Sequence, residues 1–191
     1  MEKINQVSKD TSSITKHVPY MKRRYLESVD SIAKELNVTN NHEVPKLKSV
    51  TLHARYGKFL QNSNKKRFVL TNLTTIAGQL AVEIKARRSI AQYKVRAGMI
   101  CGCKVTLRKD NAYEFLTRLW ISLPRSRNFD SFDTQGIDAQ NNFNFGIADH
   151  SIFEGVDSEE NFGFDVCVAT TATSKAGSKR LLEALGMPFK E

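Results

Sequence analysis

From Val18 the chain sets apolar residues at spacings of three and four, Met21, Tyr25, Val29, Ile32 and Leu36, which predicts an amphipathic helix. The polar stretch from Asn37 to Pro45 breaks it. Val50, Leu52 and Ala54 then alternate with Thr51, His53 and Arg55, the period of a half-buried strand with one polar face, and Gly57 ends it. Asn62 or Ser63 can cap a second helix running to about Ala77, with Gly78 as its stop. Leu80, Val82 and Ile84 alternate as a short strand, and Lys85 to Gly98 reads as a basic loop. Ile100 to Arg108 predicts another strand, with Cys101, Cys103, Val105 and Leu107 inward and Lys104, Thr106 and Arg108 outward.

Asp110 is the expected cap of a third helix whose inner face is Ala112, Leu116, Leu119, Trp120 and Leu123, stopped by Pro124. Strands follow around Asn142 to Ile147 and Phe164 to Thr171. Ser174 caps a last helix carrying Leu181, Leu182 and Leu185, after which Gly186 to Phe189 folds back as an apolar terminus. Strands and helices mix without strict βαβ alternation. The expected class is therefore α+β: an antiparallel sheet with helices on one face and a long basic loop.

A chain of 191 residues is long enough for one well-buried core. Residues 1–17 are polar and aperiodic and read as a flexible extension, leaving 18–191 as a single domain. No apolar run approaches the roughly 20 residues that span a bilayer, and no apolar segment of a secretory signal follows the N-terminus, so no membrane partner is expected. Cys101, Cys103 and Cys167 are too few for a disulfide framework and lack the spacing of a zinc site, so they read as free thiols.

Charge changes the picture more than composition does. The net charge is +9, but Met1 to Arg127 carries 25 basic and 9 acidic residues, whereas Asn128 to Ser174 carries 9 acidic residues and no Lys or Arg. Lys85 to Lys109 holds eight basic residues in 25 positions and no acid. Because apolar residues are threaded through it, this run predicts a positive surface held in fixed geometry, suited to a phosphate backbone. The acidic stretch predicts a second, different partner or a solvated face.

Catalytic chemistry is hard to assemble. His17, His42, His53 and His150 lie in unrelated segments, and neither a nucleophile elbow nor a phosphate-cradling glycine loop is present. Asp130, Asp133 and Asp138 do not have the spacing of a calcium loop. No catalytic residue, metal or cofactor is expected. An RNA-modifying or RNA-processing enzyme using the same basic surface, with His53 or the three aspartates as its chemical groups, is the alternative. Binding chemistry has more support: the outward faces at Thr51 to Arg55 and Lys104 to Arg108 offer hydroxyls, an imidazole and cations, which can reach phosphates and ribose hydroxyls in the wide minor groove of RNA.

Several segments carry a family resemblance. K-A-R-R-S-I-A-Q-Y-K-V-R-A-G followed by G-C-K-V-T-L-R, then E-F-L-x-R-L, P-R-S-R-N-F, F-D-V-C-V-A-T-T-A and L-L-E-A-L-G-M-P-F, with I-A-G-Q at Ile76 to Gln79, together resemble the large-subunit ribosomal protein L-five family of bacteria and organelles. The resemblance runs from about Val18 to the C-terminus. It implies a structural protein of the central protuberance that binds 5S rRNA and large-subunit rRNA, approaches the P-site tRNA with its basic loop, and bridges to a small-subunit head protein beside neighbouring ribosomal proteins.

The family's 5S-contacting strand positions fall on Thr51, His53, Gln79 and Thr106, and the outward-facing Arg55, Lys104 and Arg108 extend that set. The tRNA-proximal loop falls on Lys85 to Gly98, with Lys85, Arg87, Arg88, Ser89, Tyr93, Lys94 and Arg96 as its expected contacts.

The chain departs from the family pattern in several places, among them a weak match to S-F-D-G-R-G-N-Y at Gly136 to Phe143 and a segment before Phe164 that is a few residues short. His53-Ala54-Arg55 stands where the family usually has N-x-G, so Arg55 is expected to supply a phosphate contact in place of a close backbone approach. Basic residues usual between the P-R-x-R-x-F element and Gly146 are missing. Such drift, with the V-C-V-A-T-T-A strand's likeness to alphaproteobacterial versions, points to a mitochondrial ribosome, with a plastid or the bacterial cytoplasm as alternatives.

Overall fold

The computed structural model describes residues 18–38, 40, 42–57, 60, 62–126 and 131–189. The expected extension at residues 1–17, and Asp130, lie outside them. Four α-helices and five strands are present: α1 (Tyr20–Glu35), β1 (Leu47–Arg55), α2 (Ser63–Ala77), β2 (Val82–Lys85), β3 (Ile100–Leu107), α3 (Asp110–Ser122), β4 (Phe143–Ile147), β5 (Phe164–Thr170) and α4 (Lys175–Ala184). The strands form one antiparallel sheet in the order β2-β3-β1-β5-β4. The α+β class expected from the sequence is the one observed.

Strand alternation gives the sheet one covered face. Val50, Leu52, Ala54, Cys103, Val105, Leu107, Val166 and Val168 are all buried, packed against Tyr25 of α1, Leu73 and Ile76 of α2, Phe115 and Leu119 of α3, and Leu181 and Leu182 of α4. Each such fully buried aliphatic side chain contributes about 1.5–3 kcal/mol. The opposite face keeps Thr51 and His53 half-buried and Arg55, Lys104 and Asp165 exposed, so it has no cover among the described residues.

Local signals explain most helix ends. The Asn62 side chain accepts from the backbone N–H of Asn64 and Lys65, and Gly78 closes α2 in the left-handed conformation at φ 67°. Ser174 caps α4 by accepting from Gly177. Asp110 is a correction. It is the first residue of α3, not its cap, and its carboxylate takes an ion pair from Lys22 Nζ at 2.6 Å, tying α3 to α1, while Lys109 at φ 53° is the residue that turns the chain.

The short strand expected from the alternation of Leu80, Val82 and Ile84 is present as β2, with Leu80 before its first residue. Val82 lies opposite Lys104 and Ile84 opposite Gly102, so the apolar alternation falls on the open face, and Leu80 and Val82 are 75 % and 60 % exposed. An edge strand of four residues, with buried Ala81 before it, needs little apolar side chain in the core.

The segment 148–163 is held to α2 by a buried polar node. Asn72 Nδ2 donates to the Asp157 carbonyl at 3.2 Å, and the Asp157 N–H donates back to Asn72 Oδ1 at 3.3 Å. His150, fully buried and stacked on Phe162 at 4.1 Å, accepts at Nδ1 from the Phe162 N–H and so donates from Nε2 to the Asp157 carbonyl at 2.9 Å. Asn72→Leu strips the Asp157 N–H of its partner and is expected to cost about 1–3 kcal/mol. The change is read as a shift in the urea midpoint, with faster amide exchange at 150–162. An unchanged midpoint would show that solvent replaces the node at no cost.

Candidate nucleic-acid interface

Register brings the polar residues of the open face into rows. Thr106 of β3 lies opposite Thr51 of β1, which lies opposite Cys167 of β5, which lies opposite Asn144 of β4. The next row runs Val82, Lys104, His53, Asp165, Gly146, and beside it Arg55 lies opposite Gly102. Thr51, His53, Arg55, Lys104 and Thr106, from two strands far apart in the chain, therefore share one surface. Arg108 follows the last residue of β3 and is exposed, and Gln79 is exposed in the turn after α2. Neither belongs to a registered row.

The period-2 reading of the sequence covered β1 and β3 but omitted their neighbours. Asp165, Cys167 and Asn144 also face outward, and a shallow groove runs between Thr51, His53 and Arg55 on one side and Asn144, Asp165 and Cys167 on the other. The signal was present in F-D-V-C-V-A-T, whose buried positions alternate with Asp165, Cys167 and Ala169.

Electrostatics on this face is mixed. Arg55 Nη2 donates to Asp165 Oδ2 at 3.1 Å. Burial lowers the pKa of His53 from the ordinary imidazole value, Arg55 and Lys104 push the same way, and Asp165 opposes them. The free face therefore presents His53 neutral near neutral pH. Its depressed pKa leaves folding stability intact above the unfolded imidazole value, and stability falls as pH drops through the folded one. A phosphate docked on the face favours the imidazolium, so binding of a polyanion takes up a proton there. Affinity for RNA is expected to rise as pH falls from about 8 to about 6, and His53→Asn to flatten that dependence. Titrations at three pH values check this, and a dependence that survives in the variant would place the proton elsewhere.

The cysteines do not form a reactive site. Cys103 is buried, Cys101 and Cys167 are half-buried, and burial raises the pKa of Cys103 and Cys167, keeping them as thiols. The aspartates have local work. Asp133 caps a 3-10 turn at Thr134–Gly136, and Asp138 accepts from the N–H groups of Gln140 and Asn142 and from the Asn142 and Asn144 amides, bonds that lower its pKa against burial. No group of three metal-ligating side chains occurs among the described residues.

The basic segment between β2 and β3 carries internal order. Ile90 and Val95 exchange two backbone hydrogen bonds around a 3-10 turn at Ala91–Tyr93, Ala86 N–H donates to Met99 O at 2.8 Å, and Ser89 Oγ accepts from the Ala97 N–H at 2.9 Å. Lys85, expected in the loop, is instead the last residue of β2, paired with Ile100 and exposed, while Arg87, Arg88, Ser89, Tyr93, Lys94 and Arg96 are exposed on the segment itself, with Lys94 in the left-handed region at φ 54°.

Comparison with known proteins gives the same assignment over nearly the whole chain. The family model described as "Ribosomal protein L5" matches residues 40–96, and the model for the C-terminus of the same ribosomal family matches residues 100–189. The chain is similar to "Large ribosomal subunit protein uL5" of Dehalococcoides mccartyi, 38% identical over 175 residues, covering 90% of this chain and 98% of that protein. It is 41% identical over 167 residues to the protein of the same name from Nitratidesulfovibrio vulgaris, covering 85% of this chain and 93% of the relative. With Syntrophotalea carbinolica the figures are 41% over 167 residues, 85% and 91%.

Proposed function

Because this chain belongs to the ribosomal protein L5 family, structural and non-enzymatic components of the large ribosomal subunit, we propose that its open sheet face binds 5S rRNA. The single observation that supports this reading is the registered array of Thr51, His53, Arg55, Lys104 and Thr106 on a face with no helix over it among the described residues. Hydroxyls reach ribose and phosphate oxygens, Lys104 and Arg55 supply charge-assisted contacts, and Arg108 and Gln79 extend the contact at its margins.

The segment at 85–98 is proposed to approach the P-site tRNA, since its cations are exposed on a backbone-braced hairpin. The acidic segment is proposed to meet protein, a small-subunit head protein or a neighbouring ribosomal protein, while large-subunit rRNA lies against the remaining basic surface. The relatives named above are bacterial. The mitochondrial ribosome is therefore proposed only from the absence of Lys and Arg between Asn128 and Ser174 and from the V-C-V-A-T-T-A strand, and a coding gene on a bacterial chromosome would overturn it.

The face predicts a salt law. If it neutralises about three to five phosphates, the logarithm of the 5S rRNA association constant falls with the logarithm of salt with a slope of about −2 to −4.5. Titration at four potassium concentrations measures it. A slope near zero would contradict phosphate binding by this face.

A further inference from the structure

Asp165 is the one carboxylate that the strand register puts on the open face among the described residues, and it stands within the basic set. It lies opposite His53, which lies opposite Lys104, while its Oδ2 accepts from Arg55 Nη2 at 3.1 Å across the face. The Arg55 and Asp165 side chains are 75 % and 55 % exposed. A pair this open to water is weakly held, because solvent screens it and both side chains lose freedom in forming it. The Asp165 contact uses one guanidinium nitrogen, whereas a backbone phosphodiester, also singly charged, offers the planar fork two oxygens for a bidentate contact, so exchange of partner favours RNA.

We propose that Asp165 is an affinity-limiting residue that holds Arg55 in the free protein and yields it to an RNA phosphate on docking. The inference rests on the reading that this face binds RNA. In the free protein the pair offsets the repulsion between Arg55 and the Lys104 ammonium on the same face. Its consequence is a protein that binds its RNA less tightly than its cations alone would allow, and that disfavours RNAs unable to reach Arg55.

The experiment measures association with 5S rRNA, and with an unrelated RNA of equal length, for the full chain and for Arg55→Ala, Asp165→Asn, Asp165→Glu and the double variant Arg55→Ala/Asp165→Asn, at several salt concentrations. Asp165→Asn is expected to tighten 5S binding about three- to tenfold, and Asp165→Glu to change it less than about twofold. Arg55→Ala should weaken it and reduce the salt slope by about 0.7–0.9, one phosphate contact. In the Arg55→Ala background, Asp165→Asn should have less than about a twofold effect, because its target is gone.

Weaker binding by Asp165→Asn would overturn the proposal by making the carboxylate itself an RNA contact. Equal tightening with and without Arg55 would overturn it too, leaving only through-space repulsion. If the unaltered chain prefers neither RNA, the reading of the face as a 5S site fails, and the proposal with it. Thermal melts of all variants should coincide within a few degrees, and a collapsed Asp165→Asn melt would make the pair a fold element instead.

Discussion

Gly102→Ala is expected to destabilise the protein by about 2–4 kcal/mol, although Gly→Ala within a strand ordinarily stabilises by roughly 0.5–1 kcal/mol. A Cβ at position 102 would lie 2.6 Å from the carbonyl oxygen of Ala54, and the obstacle is backbone, which cannot rotate away. Nor can the strands part. Gly102 is paired with Arg55 of β1 on one side and Ile84 of β2 on the other, the Tyr56 N–H donates to the Cys101 carbonyl at 2.9 Å just beyond, and Ala54 is buried behind it. The register shift between Ile84 and Lys85 marks the same spot as the place where the ladder is already irregular. Gly146→Ala is the control. It lies on edge strand β4, and its Cβ would meet only Asp165 Oδ1 at an ordinary 3.7 Å. Denaturant midpoints for the two variants should therefore differ in sign or by more than about 2 kcal/mol. Similar midpoints would mean that β1 and β3 are freer to separate than their pairing implies.

The second large effect falls on binding. Lys104→Glu is expected to weaken 5S rRNA association about 100-fold while leaving the melt unchanged, because Lys104 is exposed on the open face beside the central strand. Losing a charge-assisted hydrogen bond costs about 1.5–3 kcal/mol, and a carboxylate in its place adds repulsion toward the phosphates. The new acid would also stand opposite His53 and on the same face as Arg55, competing with RNA for that cation. Lys34→Glu makes the same change of net charge at the end of α1, within the helical layer. It is expected to cost less than about threefold, since long-range attraction is screened beyond a Debye length of roughly 8–10 Å. Equal losses in the two variants would reduce the effect to overall charge and remove the face from the account.

How far the sequence reached depends on the kind of signal. The helices were legible because caps and apolar spacing are local: Asn62, Gly78 and Ser174 act within four residues of where they stand. β1 and β3 were legible because their outward and inward residues differ in polarity at nearly every step. β2 was legible as a strand, but alternation gives two faces without saying which is buried, and only pairing with Lys104 and Gly102 puts Val82 and Ile84 outside. Asp110 read as a cap because its residue type fits one, while the left-handed turn at Lys109 moved the boundary by a residue.

The Arg55–Asp165 pair was out of reach for a different reason. Its partners are 110 residues apart, and only the central place of β1 between β3 and β5 joins them. Arg55 itself stood out as a departure from the family's N-x-G, which identified where to look but not what it touches.

The division of labour between sheet face and basic segment is most directly tested by one pair of titrations. Thr106→Ala/Gln79→Ala removes polar contacts from the sheet face and its margin, and Arg87→Ala/Arg88→Ala removes two cations from the basic segment, both at exposed or half-buried positions. With purified 5S rRNA, the first variant is expected to bind about tenfold more weakly, each lost hydrogen bond contributing roughly 0.5–1.5 kcal/mol, and the second to remain within about threefold of the unaltered chain. A loop variant that loses 5S binding while the face variant keeps it would contradict the account and reverse the two surfaces.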